Sequence, residues 1–209
     1  MFLNSDSFSE GGRIPAAFAF ARPDPETHAT LSDNRSPHLA WGDAPSGTRS
    51  YAVLCIDDDV PTVGDDVNVE GRTVPADLPR TEFVHWLMVD VPPGVTSLAA
   101  GACSDGVTAG GKQTPSGPSG ARQGVNDYTA WFAGNADMGG TYLGYDGPAP
   151  PWNDERLHHY HFEVVALDVE RLDVSDGFGL ADLRAAMEGH VLERVRRTGT
   201  YTQNPALLD

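Results

Sequence analysis

The stretch Ser50–Pro61, with the sequence SYAVLCIDDDVP, constrains the fold more than any other part of the chain. Its residues from Tyr51 to Ile56 are mostly apolar, and three aspartates and a proline follow shortly after. A short apolar run that meets a turn signal is typical of a buried strand that ends at the surface of a domain. Alternation along such a strand puts Asp57 and Asp59 on the same side of the pleat, where a polar pocket can form.

Three other segments have the period-two spacing of strands. The first places Leu39 and Trp41 on one face. The second, 83–90, is a buried strand by its length, and alternation predicts one face with Phe83, His85, Leu87 and Val89. The third, 157–168, is predicted to carry His158, Tyr160, Phe162 and Val164 on one face and His159, His161 and Glu163 on the other.

The last part of the chain has a helical period instead. Between Gly179 and Gly199 the apolar residues recur at helical spacing, at Leu180, Leu183, Met187, Val191 and Val195. The positive charges near its end suit the negative end of a helix dipole, and they belong to Arg194, Arg196 and Arg197. Gly199 suits a C-cap. The sequence therefore predicts a mostly β fold with a C-terminal α-helix packed on it.

Composition limits the partners that the chain can have. The net charge is −16, and such a field repels nucleic acid and an anionic membrane surface. Solubility is the simple explanation of this charge, and adaptation to a salty cytoplasm is an alternative that the charge cannot decide. Two cysteines are too few for a disulfide scaffold, and no segment has the pattern of a signal peptide or a membrane helix. We expect a single cytoplasmic domain over 1–209 with no stable membrane insertion.

Histidines and aspartates at strand ends are the candidates for chemistry. The sequence has no nucleophile elbow, P-loop, dinucleotide fingerprint or HExxH motif. Each candidate also has a simpler structural interpretation. His85 and His158 fit hydrogen-bonded core residues, whereas Asp57 and Asp59 fit turn residues that bond their own backbone.

A metal site on the other face of the third strand is the weaker hypothesis. His159 and His161 are two residues apart and could share a metal, with Glu163 as the third ligand. A strand that faces solvent or a partner explains the same pattern. We therefore predict no metal and no cofactor.

Several short motifs together resemble the phosphatidylethanolamine-binding proteins, also called Raf-kinase-inhibitor-like proteins. Asp57 to Pro61, DDDVP, resembles the family's Asp-Pro-Asp-x-Pro motif, and His85-Trp86 resembles its central histidine in prokaryotic members. The remaining matches are Ser36 to Trp41, Gly147-Pro148 followed by Leu157 to Tyr160, and the ending from Met187 to Tyr201. These matches run in the family's order from about residue 36 to 203.

The resemblance implies an antiparallel β-sandwich with Greek-key connections and a C-terminal helix. It also implies a small anion pocket for a phosphate or a phospholipid head group, lined by Asp57, Asp59, His85, Gly147, Pro148, His158 and Tyr160. In such a pocket the two histidines would donate to the anion, and Asp57 would fix a histidine tautomer or accept from an ammonium group. Gly147-Pro148 would let the backbone approach the ligand.

Three features depart from the family's pattern and concern the ligand more than the fold. Asp58 stands where the motif has its first proline, and His159 where the family has arginine. The segment 127–145 is longer than expected and could cover or reshape the mouth of the pocket.

The leading functional hypothesis is a non-enzymatic protein that binds a small anionic or phosphorylated ligand. One alternative is a kinase or protease inhibitor that acts by surface contact. Another is a hydrolase that uses the histidines and aspartates, although the sequence shows no activated nucleophile. A homodimer remains open, with the His159 and His161 face or the aromatic segment 127–145 as the interface.

Overall fold

The computed structural model describes residues 1–208 of the chain. Within these residues two α-helices and two 3-10 helices accompany ten strands. The strands are β1 (Phe2–Asn4), β2 (Ala21–Asp24), β3 (His28–Leu31), β4 (Leu39–Gly42), β5 (Ser50–Pro61), β6 (Arg80–Val91), β7 (Ser97–Leu98), β8 (Arg122–Gln123), β9 (His158–Leu167) and β10 (Val191–Tyr201). The α-helices are α1 (Tyr128–Trp131) and α2 (Leu180–Met187). No helix in this part of the chain is long and apolar enough to cross a membrane.

The strands form antiparallel sheets. The large sheet has the order β10-β9-β5-β6-β8, and a smaller one has the order β1-β4-β7. Strands β2 and β3 pair as a separate two-stranded ribbon. The sequence β9-β5-β6-β8 within the large sheet is the 4-1-2-3 order of a Greek key. The predicted antiparallel, mostly β fold is confirmed.

The main core fills the space between the large sheet and the small one. Leu39 and Trp41 of β4 are both buried in it, as their spacing predicts. The large sheet contributes Val53, Cys55, Trp86, Met88, Phe162 and Val164. Cys55 and Cys103 are buried as free thiols. The apolar stripes found in the sequence are therefore the facing surfaces of a sandwich.

Helix α2 covers the opposite face of the large sheet. Its buried residues, Leu183 and Met187, pack in a second cluster with Leu54 and Val89. The helix begins where the Asp182 carboxylate accepts a hydrogen bond from the Gly179 amide at 3.0 Å. This acceptor satisfies one of the free N–H groups at a helix start.

The C-terminal helix is shorter than the sequence predicts. Helix α2 ends at Met187, and Gly189 follows with a φ of 81°, a left-handed conformation that ends helices. The chain then enters β10 and pairs with β9. Val191 and Val195 are four residues apart, and this spacing places both on one face of a strand as well as on one face of a helix. The prediction of a helix as far as Gly199 is therefore wrong.

The arginines of this segment consequently do not act on a helix dipole. Arg196 donates to the Glu163 carboxylate on β9 at 2.9 Å, and Arg194 lies 3.7 Å from the same group. Arg197 donates to the Phe8 carbonyl at 2.9 Å. These side chains tie the outer strand to its neighbours.

A bulge in β6 changes the face on which His85 lies. Cys55 pairs with Trp86, but the next residue of β5, Ile56, pairs with Val84, so His85 is the extra residue. Its ring lies 5.1 Å from that of Tyr160 on the main-core side. The next apolar residues that alternation would place beside it, Leu87 and Val89, pack instead in the cluster under α2. The predicted common face therefore holds for Phe83 and His85, whose rings lie 5.0 Å apart, and is wrong for Leu87 and Val89.

Candidate functional site

The three aspartates of β5 lie where the strand pairing is irregular. Strand β5 does not end at Ile56 but continues to Pro61, with a register shift between Asp57 and Val60. Asp57 is opposite Tyr160 on β9 and Phe83 on β6. It therefore stands at the centre of three neighbouring strands.

Each aspartate pairs with a histidine of β9. Asp57 lies 2.7 Å from His158, and Asp59 lies 2.7 Å from His159. Both aspartates are buried, with the exposed Asp58 between them, and their carboxylates lie within 4.8 Å of each other. The Asp59 amide also donates to Asp57 Oδ1 at 2.8 Å. That the two side chains share one side of the pleat stays a prediction.

His158 is held between two carboxylates. Its Nδ1 lies 2.7 Å from Asp57 Oδ2, and its Nε2 lies 3.2 Å from Asp154 Oδ2. Burial opposes its charge, but the two aspartates outweigh burial and raise the pKa of His158 to about 9. Arg80 donates to both oxygens of Asp154, at 2.6 and 3.0 Å. Both ring protons of His158 are therefore used inside the protein, which leaves no donor for the anion that the sequence analysis expected it to bind.

The pKa of His85 is shifted in the opposite direction to that of His158. Its Nδ1 donates to the Asp146 carbonyl at 2.8 Å, so the neutral ring carries its only proton there. Burial lowers the pKa of His85, although the charges of Asp57, Asp127 and Asp146 act against this shift. At neutral pH the ring is therefore uncharged, and Nε2 is a hydrogen-bond acceptor that no group within residues 1–208 occupies.

A cavity of about 490 Å³ opens above these residues. Four buried polar side chains form what we call its floor: Asp57, His85, His158 and Tyr160. Five aromatic side chains form what we call its wall: Phe20, Phe83, Tyr128, Trp131 and Phe132. Gln203 also lines the cavity. The Tyr160 hydroxyl and Gln203 Oε1 are buried and have no hydrogen-bond partner within residues 1–208.

Much of the wall comes from one long segment, 127–145. Helix α1 and Phe132 belong to the segment 127–145 that was predicted to cover or reshape the pocket mouth. The Tyr128 ring stacks on Phe20 with a centroid distance of 4.4 Å, and its hydroxyl donates to the Gly147 carbonyl at 2.7 Å. Trp131 is 52 % exposed at the rim. The density of aromatic residues in this segment was the available sequence signal.

Three of the predicted site residues do not line the cavity: Asp59, Gly147 and Pro148. Gly147 approaches the protein's own backbone rather than open space, since a Cβ there would lie within 2.2 Å of the Phe18 carbonyl oxygen. The Pro148 carbonyl accepts from the amides of Phe20 and Ala21, at 2.9 and 3.2 Å. These two residues support the wall from behind, while Ala149, Pro150 and Pro151 reach the cavity.

The hypothetical metal ligands on the outer face of β9 have separate partners. His159 pairs with Asp59, whereas His161 lies 2.9 Å from the Thr198 hydroxyl and 3.2 Å from Asp58. Glu163 accepts from Arg196. The three side chains thus belong to three different contacts rather than to one set of ligands.

Comparisons with family models, known sequences and solved structures all point to the same protein family. A family model described as phosphatidylethanolamine-binding protein matches residues 4–202. The UPF0098 protein YbhB of Escherichia coli is 33% identical over 97% of this chain and 100% of its own length. A UPF0098 protein of Methanothermobacter thermautotrophicus is 30% identical, covering 96% of this chain and 98% of its own. The crystal structure of Escherichia coli YbcL, a member of the mammalian PEBP family, superposes with a TM-score of 0.69 at 26% identity, covering 96% of both chains.

Proposed function

Because this chain belongs to the phosphatidylethanolamine-binding protein family, we propose that it is a non-enzymatic protein that binds a small organic ligand in the cavity above Asp57, His85 and Tyr160. The polar group of the ligand reaches the floor, and its apolar part lies against the aromatic wall. Pockets for small molecules commonly combine a mainly apolar lining with a few convergent polar groups.

The observation that carries this proposal is a single cavity that combines buried polar groups with an aromatic lining. Asp57, His85 and Tyr160 lie on its floor, and five aromatic side chains form its wall. A ligand that brings a polar group to the floor and an apolar body to the wall matches both surfaces.

Phosphate-bearing ligands are the class that the family resemblance implies. For these, His85 has to act as a donor through Nε2, which requires a proton that the neutral ring lacks. Binding of a phosphate group would therefore be coupled to proton uptake by His85 and would strengthen as the pH falls. His158 contributes indirectly, because its charge balances that of Asp57.

The hydroxyl groups of the cavity favour binding over covalent catalysis. Burial and nearby carboxylates, with Asp146 acting most on Tyr128 and Asp57 most on Tyr160, raise the pKa of both hydroxyls. The Tyr128 hydroxyl is also committed to the Gly147 carbonyl. A hydroxyl whose pKa is raised is a poor nucleophile.

Titration by NMR tests the proposal. Phosphoethanolamine and inorganic phosphate are added to the wild type, to His85→Ala and to His190→Ala, a control whose ring is exposed and pairs with Asp168. We expect saturable binding in the wild type and the control, and loss of binding in His85→Ala. Equal binding by all three proteins places the ligand outside the cavity and overturns the proposal.

A further inference from the structure

A second and smaller cavity, of about 160 Å³, lies on the face of the large sheet that helix α2 covers. Its apolar lining consists of Leu54, Ile56 and Met187, which belong to the cluster under α2. The cavity of the proposed function opens beside Tyr160, which packs in the main core. The two cavities have no lining residue in common within residues 1–208. We call the smaller cavity the trough.

Three arginines line the trough: Arg184 on α2, and Arg194 and Arg196 on β10. The last two are two positions apart on a strand, so their side chains share a face. The whole chain has 14 lysines and arginines against 30 aspartates and glutamates. Three arginines around one small cavity are therefore a local concentration of positive charge in a strongly acidic protein.

The glutamates of the trough do not balance all three arginines. Glu82 accepts two hydrogen bonds from Arg184, at 2.6 and 2.8 Å. Glu163 serves both of the others, since Arg196 Nε donates to it at 2.9 Å and Arg194 approaches it only to 3.7 Å. The second distance is too long for a hydrogen bond. One carboxylate thus faces two guanidinium groups, and the charge of Arg194 is the less compensated one.

The other acidic group of the trough is Asp58, which lies 3.2 Å from His161 Nε2. Its side chain is 53 % exposed, so solvent screens its charge. Glu163 is 14 % exposed and lies next to the apolar lining, where charges interact more strongly than in water. A guanidinium group has a planar set of N–H donors that fits the oxygens of an oxyanion. The trough is smaller than the sites of about 300–1,000 Å³ that hold drug-sized molecules, so it suits a small ion.

We propose that the trough is a second binding site, which takes a small, doubly charged oxyanion of phosphate size between Arg184, Arg194 and Arg196. The anion accepts hydrogen bonds from Arg194 and supplies the negative charge that Glu163 alone does not provide. This site lies apart from the cavity above Asp57, His85 and Tyr160, and it does not depend on the ligand of that cavity.

Amide NMR of the wild-type protein tests where the anion binds. Inorganic phosphate and acetate are titrated separately at neutral pH, with the ionic strength held constant by sodium chloride. We expect saturable shifts of the Arg194 and Arg196 amides with phosphate, with a Kd of about 1 mM or lower, and weaker binding of the singly charged acetate. Shifts that do not saturate, or that acetate produces with equal affinity, overturn the inference. Phosphate shifts around His85 with none on β10 also overturn it, although the proposed function then stands.

Two matched variants test the role of the arginines. Arg194→Gln removes a charge from the trough, and Arg49→Gln removes one from an exposed arginine that pairs with Glu170 and lines neither cavity. We expect the first to weaken phosphate binding on β10 about tenfold or more, and the second to change it by less than about twofold. Equal losses would reflect net charge alone and overturn the inference.

The same two variants separate this site from the proposed function. Binding of phosphoethanolamine in the cavity, measured by its loss in His85→Ala, should be unchanged in Arg194→Gln. If Arg194→Gln does not fold, the position of the phosphate-induced shifts in the wild type decides.

Discussion

His158 Nδ1 lies 2.7 Å from Asp57 Oδ2, and both side chains are almost completely buried where β9 begins beside the irregular part of β5. The pair joins two residues of neighbouring strands that are 101 positions apart in the sequence. Its second ring nitrogen contacts Asp154, which in turn holds Arg80. Behind the floor of the cavity, negative and positive side chains therefore alternate in a buried series of Asp57, His158, Asp154 and Arg80.

This arrangement predicts a loss of stability in mild alkali. The folded-state pKa of His158 is about 9, against about 6.5 for an unperturbed histidine, so its stabilisation is complete below pH 6.5 and disappears as the pH rises through 9. The effect is on the order of 3 kcal/mol. Urea unfolding of the wild type at pH 6.5 and 9.5 measures it. His158→Gln should lack this pH dependence, and the exposed-site control His190→Gln should keep it.

Arg80 and Arg184 offer a comparison between a buried and an exposed ion pair. Each donates two hydrogen bonds to one carboxylate, but Arg80 and Asp154 are buried, whereas Arg184 and Glu82 are about half exposed. We expect Arg80→Met to cost roughly 3–5 kcal/mol, because it removes the bidentate partner of the buried Asp154 carboxylate and leaves His158 to serve both Asp57 and Asp154. Arg184→Met should cost less than about 1 kcal/mol, because solvent screens the pair. Chemical denaturation of both variants at neutral pH measures the difference, and similar losses would contradict this account.

Tyr160 and Tyr145 separate a ligand contact from a structural one. The Tyr160 hydroxyl has no partner in the described part of the chain, whereas that of Tyr145 donates to the Phe18 carbonyl at 2.6 Å. We expect Tyr160→Phe to leave the free energy of unfolding unchanged or slightly higher, and to weaken ligand binding several-fold. Tyr145→Phe should destabilise by about 1 kcal/mol. Denaturation and titration with phosphoethanolamine are the measurements. A large loss of stability in Tyr160→Phe would mean that the hydroxyl has an internal partner.

Gly147 is predicted to be needed for packing rather than for ligand approach. A Cβ at this position would meet the Phe18 carbonyl and the backbone of Ala19 and Phe20, so Gly147→Ala should destabilise by about 1–3 kcal/mol or more. Gly64→Ala is the control, because a Cβ there meets no atom within 4 Å although the residue lines the cavity. Thermal unfolding compares the two. A stable Gly147→Ala variant would show that the backbone can move apart at this point.

The sequence was informative where one local pattern determines one structure. Alternation correctly places Leu39 with Trp41, and His158 with Tyr160, because regular pairing leaves each residue a single face. The same rule failed at His85, where a bulge inserts a residue into the pairing. A bulge depends on the register of two strands, which the sequence of either strand alone does not specify.

The end of helix α2 and the aromatic wall show two further limits of prediction from the sequence. The apolar residues at Val191 and Val195 fit both a helix and a strand, and pairing with β9 decided between them. The wall brings Phe20 against Tyr128 and Phe132, which lie more than a hundred residues further along the chain. Composition marked the second segment as aromatic, but only the folded chain shows which side of the cavity it lines.

The central claim is that a ligand is bound at His85. The most direct measurement is ¹⁵N NMR of the histidine rings during titration with phosphoethanolamine at neutral pH. We predict that the His85 Nε2 resonance shifts saturably while Nδ1 keeps its hydrogen bond to the Asp146 carbonyl, and that the His190 ring does not respond. Saturation of the protein with no change at His85 would contradict the account, because the ligand would then be bound elsewhere.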